Sequence, residues 1–409
     1  MGRPRSYSRG AGARFVAVFC GLAALSFILV MGLSLWVDLY RLFSDPREGD
    51  LFQVKNFDGV PEHLTLPIRM RNTGSIGTLI AGSSTARYLL ENPLDRVRSS
   101  QTAKQLFRNQ PVFSAALGGA TVHMALDTIR HAINLYDVGE VIYVLNFDGL
   151  SARREVSGNH HPDQYDGKDT IRSYSGAVPM VWSVESLKDS IRTIIANAGG
   201  DTHGGARHSS AEESRQRWVD NLKNFLLPGK YTDFMMTDAE IRAVEDMARI
   251  CKEKGAAFSV IVSPIHPAQM ELVHRSGLFG EYVRHLAALA ELSGRYGFPV
   301  VAFDIYKEPF SANYFDMPYT KGNDTRPAFV DGMHFNTAIG TELLRFLKAG
   351  DGIFGSGTGF RLRIDNVDEY VEQLRAHRES YVRNNTKLES LMNDIYSRRM
   401  SVRESAAAS

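Results

Sequence analysis

From Phe15 to Trp36 the chain runs 22 residues without a charged side chain. As a helix rising about 1.5 Å per residue this stretch is roughly 33 Å long, against a hydrocarbon core about 30 Å thick. Arg3, Arg5, Arg9 and Arg14 precede it and no acidic residue does. Basic flanks stay in the cytoplasm, so the sequence predicts a cytoplasmic tip (residues 1–14), a transmembrane anchor (15–36) and an extracytoplasmic remainder. A cleavable signal peptide carries a shorter apolar stretch of about 7–15 residues ending in small residues. Here the run closes on Leu33-Ser34-Leu35-Trp36, and Trp36 and Tyr40 suit the outer interface. Cys20 lies inside the uncharged run and is no lipidation cysteine. The predicted arrangement is therefore a single-pass membrane protein with its main domain extracytoplasmic.

The formal net charge of +1 conceals this asymmetry: the four tip arginines leave the remainder at −3. No basic field offers itself to nucleic acid. Cys20 and Cys251, the two cysteines, fall in the anchor and in a predicted helix, so no disulfide is expected. The extracytoplasmic part must rely on an apolar core, which a chain of this length can bury.

Residues 37–75 read as an irregular connector. Beyond it strands and helices alternate. Thr78 to Ala81 is a short apolar run ending in Gly82-Ser83-Ser84; Pro111-Val112-Phe113 opens a second strand; Glu140 to Leu145 is a third, Ala257 to Val262 a fourth and Pro299 to Phe303 a fifth. Val122, Leu126, Ile129 and Ile133 share one helix face, and Thr237-x-x-Glu240 is a capping box opening a helix through Cys251. Further helices are predicted at 279–294 and after Asn336, with long loops at 151–180 and 198–215. Nearly continuous apolar strands separated by helices argue for a mainly parallel sheet covered on both faces. Ligand sites in such sheets lie at the carboxyl ends of strands. Gly82-Ser83-Ser84, Asn146-Phe147-Asp148 and Pro264-Ile265-His266 fall at such ends.

Ser84 follows a strand and opens a helical turn, which presents its hydroxyl beside backbone N–H groups able to hold an oxyanion. The same position also suits a plain helix N-cap. Asp331-Gly332-Met333-His334 precedes a helix, and its spacing lets the carboxylate orient the imidazole while the other ring nitrogen meets a serine. An α/β-hydrolase is disfavoured, because Ala86 stands where its elbow needs glycine and because acid and histidine are only three residues apart.

Taken together and in this order, the two motifs resemble the SGNH (GDSL-like) hydrolase superfamily over roughly residues 76–350. The resemblance implies a three-layer α/β/α sandwich with a mainly parallel sheet. It also implies Ser84 as nucleophile, His334 as general base and Asp331 as its orienting partner. Gly119, in Ser114-Ala115-Ala116-Leu117-Gly118-Gly119-Ala120, matches the glycine block that supplies an oxyanion-hole N–H beside that of Ser84. Two blocks depart from the family. Ser83 replaces an aspartate, and Phe147 stands at the position of the oxyanion-hole asparagine with Asp148 after it. Asn146 takes that role only if the turn shifts by one residue. With only two backbone donors the enzyme would be a weak esterase or a slow transferase.

An anchored SGNH-like domain is similar to the membrane-anchored proteins of bacterial polysaccharide O-acetylation and teichoic-acid D-alanylation. The likeness implies an O-acyltransferase or carbohydrate esterase acting on acyl, chiefly acetyl, groups of a cell-surface or exported polysaccharide. It also implies a polytopic membrane O-acyltransferase (MBOAT) as partner and a place in the bacterial inner membrane with the main domain in the periplasm. The sequence holds no Walker loop and no CxxC, so neither cofactor nor metal is expected. The alternative is a catalytically silent scaffold that binds glycan or such an acyltransferase.

Arg87 and His266 are expected as substrate-binding residues; Arg87 suits an anionic substrate or a neighbouring carboxylate, and His266 the cleft wall or a structural loop. His123, Asp127 and His131, on one helix face, read as a solvated face rather than a metal site. His160, His161, His203 and His208 read as exposed loop residues. Residues 351–409 are expected to form a helical extension, one long amphipathic helix over 364–395 with interruptions at Arg378 and Asn385, laid on the domain or making a coiled-coil contact, and a flexible tail.

Overall fold

Arg9–Val37 is one uninterrupted helix, long and apolar enough to cross a membrane, and no residue of its most apolar window is buried. The computed structural model describes residues 9–38, 62–89, 105–154, 181, 183–198, 208–209, 211–312, 319–320, 328–329, 331–350 and 355–407. Its main elements, in chain order, are α1 (Arg9–Val37), α2 (Glu62–Arg71), β1 (Thr78–Gly82), a 3₁₀ turn (Ser84–Leu89), β2 (Val112–Ala116), α3 (Val122–Leu135), β3 (Glu140–Leu145) and a second 3₁₀ turn (Phe147–Leu150). There follow α4 (Val184–Ala198), α5 (Ala211–Asn224), α6 (Asp238–Glu253), β4 (Ala257–Val262), α7 (Pro267–Arg275), α8 (Phe279–Tyr296), β5 (Val300–Phe303), α9 (Thr337–Ala349), β6 (Gly359–Leu362), α10 (Val367–Asn384) and α11 (Thr386–Ala407). The chain divides into two units, residues 1–72 with 169–205 and residues 73–168 with 206–409.

The larger unit is α/β. Its six-stranded sheet has the order β2-β1-β3-β4-β5-β6, parallel throughout except for β6 at the edge. Every residue of β1 and β3 is buried. Successive side chains of a strand point to opposite faces, so both faces are covered. Gly82 is level with Ala116 on one side and Val144 on the other, which brings the carboxyl ends of β1, β2 and β3 into line. That order has its switch point between β1 and β3, where open parallel sheets form their crevice. α3 starts at Thr121, whose Oγ1 accepts from Met124 N at 3.4 Å; α6 starts at the Thr237–Glu240 capping box. α3, α6 and α8 pack side by side, over β1, β4 and β5 respectively.

Several expectations are corrected here. The 37–75 connector contains α2, and the 198–215 loop gives way to α5 at Ala211. β6 comes from the stretch assigned to a helical extension; it pairs antiparallel with β5, Val300 opposite Leu362. The long helix over 364–395 is two helices, α10 and α11, broken at Asn385, whose Oδ1 accepts from Leu388 N at 3.1 Å. α11 continues to Ala407. α10 is bound to the sheet domain: Tyr370 donates its hydroxyl to the Phe303 carbonyl at 2.9 Å, His377 Nδ1 lies 2.5 Å from Asp304 Oδ2, and Arg378 pairs with Glu271 at 2.7 Å. The α3 face is not solvated throughout. His131 is buried, His123 Nε2 lies 3.3 Å from Glu240, and Asp127 pairs with Arg130. No group of three His, Cys, Asp or Glu side chains fit to hold a metal occurs among the described residues. His160, His161 and His203 lie outside the described residues.

Candidate active site

The site begins with a glycine. Gly82 ends β1 with φ of +144°, and a Cβ there would stand 2.5 Å from the Val144 carbonyl oxygen. Only glycine lets the strand turn so sharply against β3. The turn delivers Ser84 to the start of a 3₁₀ segment, partly exposed, while Ser83 beside it is buried.

Asp331 and His334 are held by a tight loop. Phe329 and Phe335 form an isolated antiparallel bridge around it, and Asn336 N donates to the Ala328 carbonyl at 2.6 Å. Within the loop Asp331 Oδ1 accepts from the backbone N–H groups of Met333 (2.9 Å) and His334 (2.8 Å). Its Oδ2 lies 2.8 Å from His334 Nδ1, and His334 Nε2 lies 2.8 Å from Ser84 Oγ. With the carboxylate accepting at Nδ1, Nε2 is the nitrogen left to accept the serine proton. Burial alone would raise the Asp331 pKa, but the His334 charge, its hydrogen bond and the two backbone donors outweigh it and hold the carboxyl below its ordinary range. Asn336 then caps α9, its Oδ1 accepting from Ile339 N at 2.9 Å.

α9 packs directly on the 3₁₀ turn that carries Ser84. Gly340 makes the approach possible, since a Cβ there would lie 1.7 Å from the Tyr88 carbonyl oxygen. The Tyr88 ring in turn lies against that of His334, centroids 5.2 Å apart.

The neighbouring strand ends complete the surroundings. Leu117 N donates to the Gly82 carbonyl at 3.0 Å, tying the turn after β2 to the end of β1. Gly119 follows in that turn with φ of +71°. After β3, Asn146 is buried and its Oδ1 accepts from Thr85 Oγ1 at 2.6 Å, one residue past Ser84. The amide nitrogen is thereby the donating end of that side chain. Phe147 instead enters an aromatic cluster, 4.6 Å from Phe234 and 5.4 Å from Tyr282 between centroids. Of the two residues weighed at this strand end, Asn146 is the one that reaches the serine turn. Asp148 forms a buried ion pair with Arg154, whose guanidinium also borders Gly119.

Arg87 sits in the 3₁₀ turn, and burial draws its guanidinium pKa below the ordinary value. His266 is no cleft residue. It is fully buried, its Nδ1 accepts from Ala268 N at 3.0 Å to cap α7, and its Nε2 donates to the Ala312 carbonyl at 3.3 Å. Burial pushes its pKa down to about 3, so it stands neutral between Trp218 and Phe329. Thr85, Tyr88, Arg154 and Gly340 escaped the sequence reading, because each matters through a contact with a distant segment.

The fold and site thus define an α/β protein with a serine–histidine–aspartate hydrogen-bonded chain at the end of its first strand, preceded among the described residues by one helix fit to span a membrane. No protein-family model, curated protein or solved structure matches the chain.

Proposed function

We propose that this chain is a membrane-anchored, extracytoplasmic serine esterase or O-acyltransferase of SGNH type. In this reading the larger unit is its three-layer α/β/α sandwich, and its substrate carries acyl groups, chiefly acetyl, on a cell-surface or exported polysaccharide. The observation that carries the reading is the chain of hydrogen bonds Ser84 Oγ–His334 Nε2 and His334 Nδ1–Asp331, both 2.8 Å, at the switch point of a parallel sheet.

In this mechanism Ser84 Oγ attacks the acyl carbonyl carbon while His334 Nε2 takes its proton. Asp331 keeps the imidazole in the productive tautomer and stabilises its positive charge. The backbone N–H groups of Ser84 and Gly119, with the Asn146 amide, are the donors assigned to the oxyanion. Collapse of the tetrahedral intermediate breaks the ester C–O bond, His334 gives its proton to the departing sugar oxygen so that it leaves as a hydroxyl, and the acyl group remains on Ser84. Water or a second sugar hydroxyl then discharges it, giving hydrolysis or transfer. A polytopic acyltransferase is the proposed source of acyl groups on the far side of the membrane, and α1 tethers the chain to that membrane.

A fluorophosphonate probe tests the reading: it is expected to label the wild type and neither Ser84→Ala nor His334→Ala. Equal labelling of Ser84→Ala would overturn it. An unlabelled, inactive wild type that still binds acetylated glycan would favour the scaffold role.

A further inference from the structure

In the smaller unit, α4 buries a face of small polar residues and turns aliphatic side chains outward. At 100° per residue Ser186, Asp189, Ser190 and Thr193 fall on one face, and all four are buried. Val184, Ile191 and Ile195 fall on the opposite face and are 68%, 45% and 65% exposed, with Lys188 between them, its side chain paired with Glu185 and long enough to carry its ammonium to the headgroup level. A helix facing water has the reverse arrangement. Small polar residues at a helix–helix contact, with aliphatic residues outward, is how helices pair in lipid.

The partner helix is α1, which packs along α4. Ser34, buried near the end of α1, places its Oγ 2.8 Å from Ser186 Oγ. Elsewhere α1 presents bare aliphatic and aromatic side chains such as Leu22, Ile28 and Leu29. The exposed face of α4 therefore extends an apolar surface that α1 already offers to lipid. At about 22 Å, α4 is too short to cross a hydrocarbon core of about 30 Å. It also carries four charges that cancel in two pairs, Lys188–Glu185 at 2.8 Å and Arg192–Asp189 at 3.1 Å.

We infer that α4 is a second membrane-contacting element: a short helix lying in the bilayer interface at the C-terminal end of α1, with Val184, Ile191 and Ile195 among the acyl chains. The internally paired charges make this contact apolar, independent of anionic headgroups and of salt. The inference rests on α1 being an anchor.

The test uses the full-length protein with Cys20→Ser and a single environment-sensitive fluorophore on Ile195→Cys, reconstituted in phosphatidylcholine vesicles. A companion protein carries the probe on Ile28→Cys of α1. The expected result at Ile195 is a blue-shifted emission that nitroxide-labelled lipid quenches, that aqueous iodide does not, and that salt leaves unchanged. Quenching by iodide but not by lipid overturns the inference, and so does protection from both, which would mean that protein covers the face. If the Ile28 probe escapes lipid quenching as well, the anchor reading fails too. If only the Ile195 probe escapes it, only the role of α4 fails.

Discussion

Gly340 lies against the Tyr88 carbonyl so closely that a methyl group in its place would sit 1.7 Å from that oxygen. Two backbones meet here, one continuing from Ser84 and the other from His334. The distance between Ser84 and His334 is thus set by a helix docking on a turn. Gly340→Ala must push α9 away, an overpacking that costs about 1–3 kcal/mol or more. The expected outcome is a lower urea midpoint together with strongly slowed fluorophosphonate labelling. Unchanged labelling would show that the docking does not set the Ser84–His334 distance.

Removing the reacting groups is predicted to act without loss of fold. Ser84→Ala and His334→Ala should each lower kcat by at least about 10³-fold, and the double variant little further, because the groups act as one unit. Asp331→Asn removes the acceptor that fixes the imidazole tautomer, and a loss of about 10⁴-fold is expected. Steady-state hydrolysis of an acetyl ester, with the urea midpoint alongside, checks all three.

The Asn146 amide is assigned as an oxyanion donor and Thr85 as the residue that orients it. Asn146→Ala should cost about 10²–10³ in kcat with little change in KM. Thr85→Val, which removes the 2.6 Å bond to Asn146 Oδ1, should show a smaller loss in the same parameter. A Thr85→Val effect confined to KM would refute the orienting role.

Acid is predicted to destabilise the larger unit before it protonates the carboxylates. Burial pushes His266 and His285 down to about 3 and His274 to about 4. An unfolded histidine takes up its proton near pH 6.5, so these depressed values favour the folded state fully above about pH 6.5 and progressively less as pH falls toward 4. Each of the two fully buried rings adds a slope of about 1.4 kcal/mol per pH unit in that window. The depressed Asp331 pKa adds a further loss at lower pH, below the ordinary carboxylate range. Urea midpoints across the window should fall steeply. His285→Phe, placed among Phe147 and Tyr282, should flatten the slope.

What the sequence disclosed follows the range of each interaction. Strands such as Glu140–Leu145 were legible because burial on both faces leaves an unbroken apolar run. Ser84 after its strand and Asp331 three residues before His334 were legible because the spacing is local. Thr85 with Asn146, and Gly340 with Tyr88, join segments far apart in the chain, and no local pattern announces them. α7 was hidden by Pro264 and Pro267, although proline at the first helical position fits a helix that His266 caps. His131 shares a helix face with His123, yet tertiary packing buries one and leaves the other in reach of Glu240. The exposed aliphatic face of α4 was not read at all, since its significance lies in which side is covered.

The division of the chain into two interleaved units has a practical consequence for anyone wishing to prepare the serine-bearing unit without α1. Cutting before residue 73 removes α1 and α2 but leaves α4 behind, with Ser186 stripped of Ser34 and with Ile191 and Ile195 facing water. Such a fragment should associate with itself or with detergent. A water-soluble fragment carrying Ser84 and His334 requires a second excision, replacing residues 169–205 by a flexible linker, so that both halves of the unit containing α1 leave together.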